Sequence, residues 1–294
     1  MSTKYEIKYK SFNDIKSNMN KYNLSPIEII LIDESKRSKL PEHKIIEKFE
    51  HILEVMKDSI NQKAKDDRFH VSVDMAEKYS NRTKSFFSPL VQDIILSALS
   101  TSVNNACMHR IVSAPTGGAS GVMPGVLVPI IKFYKFDDDI AIKALLIGAA
   151  IGNVIKNLAT LSGAEGGCQA EIGSASAMTA GAVAYLFQGD ITTVESASSI
   201  ALKNMLGLTC DPVAGLVEIP CIKRNAMGAL NALLAVDLSL SGIKTTIPLD
   251  EVILAMKDIG DKMDSTLKET GLGGLAATET GKKLLKNLEK SHNR

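Results

Sequence analysis

The composition of the chain changes at about Ser88, and this change constrains the fold more than any other feature of the sequence. Residues 1–87 are rich in Lys, Glu and Asp, whereas the middle of the chain that follows is rich in Ala, Gly, Ser and Met and carries few charges. Helices with small side chains on every face can pack closely and be buried all round. We therefore expect a charged helical N-terminal segment, residues 1–87, packed on a helical domain formed by residues 88–294.

Start signals predict three helices in the first part of the chain. "SPIE", Ser25 to Glu28, is a capping box with a proline in the first helical turn. The segment after Pro41 has apolar residues at helical spacing, from Ile45 to Met56. Ser88-Pro89 has the form of a further helix start.

The middle of the chain is predicted to be helical as well. Asp139 is a candidate cap for a helix that runs to about Leu158, and Thr192 with Glu195 is a candidate start for one that ends at about Gly207. "VEIP" and "GVLVPII" are weak strand candidates, because sustained alternation is missing. The predicted fold class is all-α, a buried multi-helix domain with glycine-rich loops at helix ends.

Charge and hydropathy exclude two classes of partner. The 34 basic and 33 acidic residues leave a net charge of +1, so the chain has no electrostatic signature of a nucleic-acid-binding protein. The most apolar run, residues 144–155, is shorter than the ~20 residues that span a bilayer. The charged N-terminus does not have the form of a secretory signal. We expect a cytoplasmic protein with a small-molecule substrate and no membrane partner.

Three of the four cysteines are predicted to lie at helix ends. Cys168 follows two glycines and should stand in the first turn of a helix, where the helix dipole stabilises a thiolate. Cys210 lies past a predicted helix end, and Cys221 follows Pro220 at a predicted helix start. Thiols so placed could converge on a metal centre. Their spacing matches no short metal motif, so packed thiols remain an alternative, which is also our interpretation of Cys107.

The context of these cysteines resembles a known family. The strings "SAPTGGASGVMPGVL", "SGAEGGCQAEIGSASAMTAGA" and "GLTCDPVAGLVEIPCIKRNAMGALNAL" are similar, in the same order, to the alpha chain of bacterial iron-sulfur L-serine dehydratases. "LGGLAATETG" near the C-terminus is similar too. The resemblance runs from about residue 88 to 285.

The resemblance implies a cofactor and an activity. It implies a 4Fe-4S cluster on Cys168, Cys210 and Cys221, with the fourth iron open as a Lewis acid for the hydroxyl of L-serine. The products would be pyruvate and ammonia. It also implies a heteromer with a beta subunit that supplies the base, and residues 88–294 as the catalytic domain.

Several side chains are candidates for substrate binding. Ser113, Thr116 and Ser120 lie in a glycine-rich loop before a predicted helix start near Gly121, which suits a carboxylate; a plain turn is the alternative. Lys223 could hold the carboxylate or, with Arg224, neutralise the thiolates; a solvated pair is the alternative. Glu165 and Glu171 could bind the ammonium group, with helix capping the alternative for Glu171.

Some questions stay open at the level of sequence. None of the five histidines, His43, His51, His70, His109 and His292, is a convincing base. A cysteine desulfidase could use the same kind of cluster, because sulfide and hydroxide are both β leaving groups. A structural or redox-sensing cluster would require a fourth ligand, for which Cys107 is the candidate.

Overall fold

In the computed structural model, the described residues are 5–62 and 74–292, and they form helices without a β-sheet. This confirms the predicted all-α class. The α-helices are α1 (Phe12–Tyr22), α2 (Pro26–Ser38), α3 (Glu42–Ser59), α4 (Met75–Ser80), α5 (Pro89–Ala106), α6 (Val122–Tyr134), α7 (Asp138–Leu158), α8 (Gly163–Gly166), α9 (Ser174–Leu186), α10 (Ile191–Lys203), α11 (Cys221–Leu240), α12 (Leu249–Lys262) and α13 (Glu279–His292).

Helix α9 lies at the centre of the molecule. It packs against α6, α7, α10 and α11, and nearly all of its residues are buried, Ser174 and Thr179 among them. Its sequence, SASAMTAGAVAYL, has small side chains on every face, so neighbouring helices can approach closely from all sides. The glycine-rich loops that carry the cysteines lead into and out of this central group.

Helices α1–α3 share one hydrophobic core with the middle of the chain. Phe12, Ile29 and Met56 belong to the same buried cluster as Ile151 of α7 and Leu186 of α9. The N-terminal helices therefore pack on the central helices, while a domain boundary at residue 87 stays a prediction.

The helix starts at Ser25 and Ser88 are confirmed, and both serines accept a hydrogen bond from a first-turn N–H. Two other caps lie earlier than predicted. Asp137, rather than Asp139, caps α7 by accepting from Ile140 N, and Asp190, rather than Thr192, caps α10. In each case the predicted cap lies inside the first helical turn, because the helix begins directly after the aspartate that caps it.

One of the two weak strand candidates is helical, and a glycine-rich segment near the C-terminus forms a turn. "GVLVPII" is part of α6, since its apolar residues are buried on all sides of a helix and not on one face of a strand. "GLGGLA" ends in a 3-10 turn, Gly274–Ala277, between α12 and α13. Within the described residues, no helix is long and apolar enough to cross a membrane.

Candidate functional site

Three cysteines from distant parts of the sequence line one pocket. Cys168 precedes a π-helical turn, Cys210 lies in the loop after α10, and Cys221 is the first residue of α11. Two carboxylates, Glu171 and Glu269, line the same pocket. The rest of the wall is formed by Gly118, Ile172, Pro212, Gly215 and Val217.

Cys168 is positioned by the π turn that follows it. Gln169–Gly173 form this turn, which continues into α9 at Ser174. The buried Gln169 side chain donates to Gly166 O and Met256 O and accepts from Gly207 N. Its backbone N–H donates to Leu208 O. One glutamine thus ties the Cys168 segment to the chain just before Cys210.

Cys210 is held by the segment after α12. Its N–H donates to Leu267 O at 2.8 Å, and its C=O accepts from Glu269 N at 2.7 Å, so that Cys210 and Lys268 form an isolated parallel β-bridge. Two main-chain hydrogen bonds fix the backbone of Cys210, and the same bridge brings Glu269 to the wall of the pocket.

The thiols differ in their electrostatic environment. A hydrogen bond from the Cys210 thiol, followed by the positive charge of Arg224, lowers the pKa of Cys168, and the same contact raises the pKa of Cys210. Burial raises the pKa of Cys221 to about 12. The first cause of the Cys168 shift is therefore a neighbouring thiol, and a contribution from the helix end stays a prediction.

Glu171 connects the thiols to the glycine-rich loop. Its Oε1 accepts a hydrogen bond from Thr116 Oγ1 at 2.7 Å, and its Oε2 lies 3.9 Å from Cys210 Sγ. Burial raises the pKa of this carboxyl. A Cβ at Gly163 would lie 2.6 Å from Glu171 Oε2 and 3.3 Å from Cys210 Sγ, so the close approach of α8 requires glycine there.

The predicted substrate loop lines the pocket with Gly118, and its Thr116 donates a hydrogen bond to the lining residue Glu171. Asn225 of α11 fastens it by accepting from Gly121 N at 2.8 Å and donating to Gly118 O at 2.7 Å. Ser120 is fully buried and its Oγ has no hydrogen-bond partner among the described residues, whereas Ser113 is exposed.

Lys223 and Arg224 are neighbours in α11 but lie in different surroundings. Lys223 is exposed and is not among the residues that line the pocket. Arg224 is largely buried beside the thiols and donates to Thr209 O and Asp211 Oδ1. Glu165 accepts from Thr160 Oγ1 at the surface.

Other candidates from the sequence lie elsewhere. Cys107 is buried beside Ile95, Leu99, Val103 and Ile222, apart from the three-thiol pocket. His43, His51 and His109 are exposed. His70 lies outside the described residues, as does the side chain of His292.

Sequence reasoning missed four residues that shape the site: Gln169, Asp211, Asn225 and Glu269. Each is a polar residue within a few positions of a cysteine or of the segment bridged to one, and three of them are buried. Proximity to a cysteine was the available signal. It could not select them, because Lys223 and Glu165 are equally close in sequence.

The candidate metal-binding side chains are three thiols that line one pocket. Among the described residues, no three His, Cys, Asp or Glu side chains are arranged to hold a single metal ion. A single ion requires all its donors within about 2.0–2.3 Å of one point. An iron-sulfur cluster takes each cysteine on a different iron, so three thiols around a pocket fit a cluster better than a lone ion.

The fold and the pocket define an all-helical protein with a buried three-thiol centre at helix ends. The family model described as "Serine dehydratase alpha chain" matches residues 21–276. The chain belongs to this family. It is 42% identical over 269 residues to "L-serine dehydratase, alpha chain" of Peptoniphilus asaccharolyticus, covering 90% of this chain and 92% of that one.

Two further relatives differ in length. "Probable L-serine dehydratase, alpha chain" of Bacillus subtilis (strain 168) is 49% identical over 212 residues, 72% of this chain and 71% of the relative. "L-serine dehydratase" of Streptomyces coelicolor is 45% identical over 185 residues, which is 62% of this chain but 41% of that protein. The same region therefore also occurs within a much longer chain.

Proposed function

We propose that this chain is the alpha subunit of a lyase that converts L-serine to pyruvate and ammonia. Membership of the serine dehydratase alpha chain family supports the reaction class. The observation that carries the proposal is the meeting of Cys168, Cys210 and Cys221, each at or near the end of a different element, on one pocket that also holds Glu171 and Glu269.

The three cysteines are proposed to hold a 4Fe-4S cluster. Soft thiolate ligands suit iron-sulfur clusters, and the low pKa of the Cys168 thiol favours ligation there. Three ligands leave one iron without a protein donor, and Cys107 packs in a separate cluster of side chains. When bound, such a cluster supplies a Lewis acid for the leaving hydroxyl.

The carboxylates are proposed to receive the substrate's ammonium group. Glu171 and Glu269 both line the pocket, and Thr116 holds Glu171 Oε1 in a fixed orientation. Two carboxylates on one wall attract a cation and disfavour a further anion. This assigns the ammonium side of the pocket to Glu171 and leaves the carboxylate of L-serine to face the glycine-rich loop.

The loop of residues 113–121 is proposed to bind the carboxylate. Gly118 lines the pocket, and Asn225 fixes the loop at the N-terminus of α6, where backbone N–H groups and the helix dipole favour an anion. Thr116 and Ser120 remain proposed contributors. Ser113 and Lys223 are exposed in this chain, so their proposed roles depend on a partner chain that covers them.

A second subunit is proposed to complete the site. The relatives named "alpha chain" belong by name to enzymes of more than one chain, and the Streptomyces coelicolor relative contains this region as 41% of its length. The three described histidines that have side-chain positions are exposed, so the proton acceptor is assigned to the partner. We propose the cytoplasm as the location of the complex.

The test is anaerobic co-purification of this chain with its beta subunit, followed by measurement of iron per chain and of pyruvate formed from L-serine. Replacement of Cys168, Cys210 or Cys221 by Ser should each remove both iron and at least 99% of the turnover, roughly the loss expected when a metal centre is removed. Cys107→Ser is the matched control and should retain both.

Two results would contradict the proposal. Full iron content in all three single variants would mean that other residues hold the metal. Full turnover from the alpha chain alone would remove the need for a partner. Comparison of L-serine with L-cysteine as substrate decides between the dehydratase and a desulfidase.

A further inference from the structure

Arg224 links the segments that carry Cys221 and Cys210. It lies one helical turn after Cys221 in α11, and its guanidinium donates to Thr209 O at 2.7 Å and to Asp211 Oδ1 at 3.0 Å. These two acceptors flank Cys210 in the sequence. Cys210 in turn belongs to the same buried cluster of side chains as Cys168. The Arg224 side chain is 15% exposed, so most of it is enclosed by the site.

Asp211 extends this contact to the segment after α12. Its Oδ1 pairs with Arg224, and its Oδ2 accepts from Leu275 N at 2.9 Å. The carboxylate is 6% exposed, and a Cβ at Gly274 would lie 2.5 Å from Asp211 Oδ2. Gly274 has a φ of +56°, a conformation that glycine adopts readily. The backbone therefore closes tightly on this carboxylate.

We propose that Arg224 is a positioning residue that holds the Cys210 loop against the helix that carries Cys221, and so keeps Cys210 beside Cys168 at the pocket. The inference rests on the proposed function for its role in iron binding, but the geometry concerns the protein's own side chains. α11 supplies Cys221 and the arginine, and the arginine fastens the residues on both sides of Cys210 to that helix. Asp211 in turn accepts a hydrogen bond from Leu275 N and so connects Arg224 to residues 274–277.

The chemistry of the guanidinium suits this arrangement better than an ammonium would. Arginine has five N–H donors in a planar fork and stays charged in proteins, so one side chain can hold a carbonyl and a carboxylate at once. Its charge also balances Asp211 and the thiolate that ligation requires. A lysine at this position would keep the charge but lose the fork.

The first measurement is the retention of iron by the complex of this chain with its beta subunit. Arg224→Gln, Arg224→Lys and Asp211→Asn are reconstituted anaerobically, and the rate of iron loss to a chelator is followed. Removal of a residue that orients metal ligands costs roughly 10–100-fold in affinity. We expect Arg224→Gln to lose iron at least about tenfold faster than wild type, Arg224→Lys to fall between the two, and Asp211→Asn to lie near Arg224→Lys.

The matched control is Lys143→Gln. It also removes one positive charge from an ion pair, that with Asp139, but on the exposed side of α7. We expect its iron loss to equal that of wild type. If Arg224→Gln loses iron no faster than Lys143→Gln, the positioning role is wrong.

A second measurement does not depend on iron. Phenylarsine oxide forms two As–S bonds and releases water when two thiols lie close together, and Cys168 and Cys210 line the same pocket within one buried cluster. The iron-free wild-type complex should therefore bind the reagent more tightly than Arg224→Gln, with Lys143→Gln equal to wild type. Equal affinity in wild type and Arg224→Gln would overturn the inference.

The two readouts separate the inference from the proposed function. A wild-type complex that binds no iron but traps the arsenical in an Arg224-dependent way contradicts the cluster and supports the positioning role. A wild-type complex that binds iron independently of Arg224 supports the cluster and contradicts the positioning role. If Arg224→Gln does not fold, as judged by circular dichroism, Asp211→Asn decides, because it keeps the side-chain volume and removes one of the ties.

Discussion

The central helices and the N-terminal helices are held in place in different ways. In α9 the residues are small and buried on every face, and the contacts with α7 and α10 are made by atoms that fit closely. Helices α1 and α3 are amphipathic and carry most of their charges outward, whereas α2 buries the consecutive residues Ile29 to Ile32. The three helices contact the rest of the molecule through these apolar residues and a few polar ties.

The polar ties can be named individually. Lys16 of α1 pairs with the nearly buried Glu195 of α10 at 2.7 Å. Asp250, at the start of α12, accepts from Phe12 N at 2.7 Å and from Asn13 N at 2.9 Å, and so satisfies the N-terminus of α1. The central region therefore depends on the close packing of small residues. The N-terminal helices share the hydrophobic core and add polar ties that can be lost one at a time.

The largest effect is expected from adding a methyl group to the central region. In Gly125→Ala the new Cβ would lie 2.7–2.9 Å from Ala98 atoms of α5, two of them backbone. Relief requires α5 and α6 to separate, which should lower the free energy of unfolding by about 3 kcal/mol. The measurement is urea unfolding, with Glu50→Ala on the exposed face of α3 as the control. A loss equal to that of the control would show that the central packing is not tight.

A smaller effect is expected from breaking one tie of the N-terminal region. Lys16→Met leaves the Glu195 carboxylate, 9% exposed, without its cation. We expect a loss of about 2 kcal/mol, less than a fully buried pair would cost because Lys16 is 29% exposed. Hydrogen exchange should increase in α1 and not in α9. Increased exchange throughout α9 would mean that the two regions unfold as one.

The smallest effect is expected at the capping box of α2, and it depends on pH. Glu28 accepts from Ser25 N at 2.8 Å and Ser25 Oγ at 2.7 Å, and these bonds lower the pKa of its carboxyl. A lowered folded-state pKa stabilises the protein above the unfolded-state value of about 4.3, and that contribution is lost as the pH falls through the folded-state value.

Glu28→Gln tests this, because glutamine can still form a capping box but does not titrate. The difference in unfolding free energy between wild type and Glu28→Gln should be constant above about pH 5 and shrink below about pH 4. The measurement is urea unfolding between these values. A difference that does not change with pH would show that the capping carboxylate is not favoured over its protonated form.

Much of the fold could be predicted because its signals are local. Ser25 and Ser88 mark helix starts by accepting hydrogen bonds within one turn, and Pro220 directly precedes α11. The small residues of α9 predict burial directly. The errors at Asp139 and Thr192 have the same origin. Several neighbouring residues could cap each helix, and which of them does so depends on where the preceding loop ends.

The polar part of the site could not be predicted to the same degree. Glu171 enters the pocket because a π turn, Gln169–Gly173, changes the direction of the side chains before α9 begins. Glu269 enters through a bridge to Cys210 that joins residues far apart in sequence. Neither arrangement has a local signal, because both depend on which segments pack together.

The sequence by itself determined the helical class and, through a family resemblance, which three cysteines to consider together. The tertiary structure alone decided which polar side chains accompany them. Lys223 and Arg224 show the physical reason. Adjacent residues of a helix point about 100° apart. The rotational setting of α11 against α5, α9 and α10 therefore sends one cation to the surface and the other to the thiols.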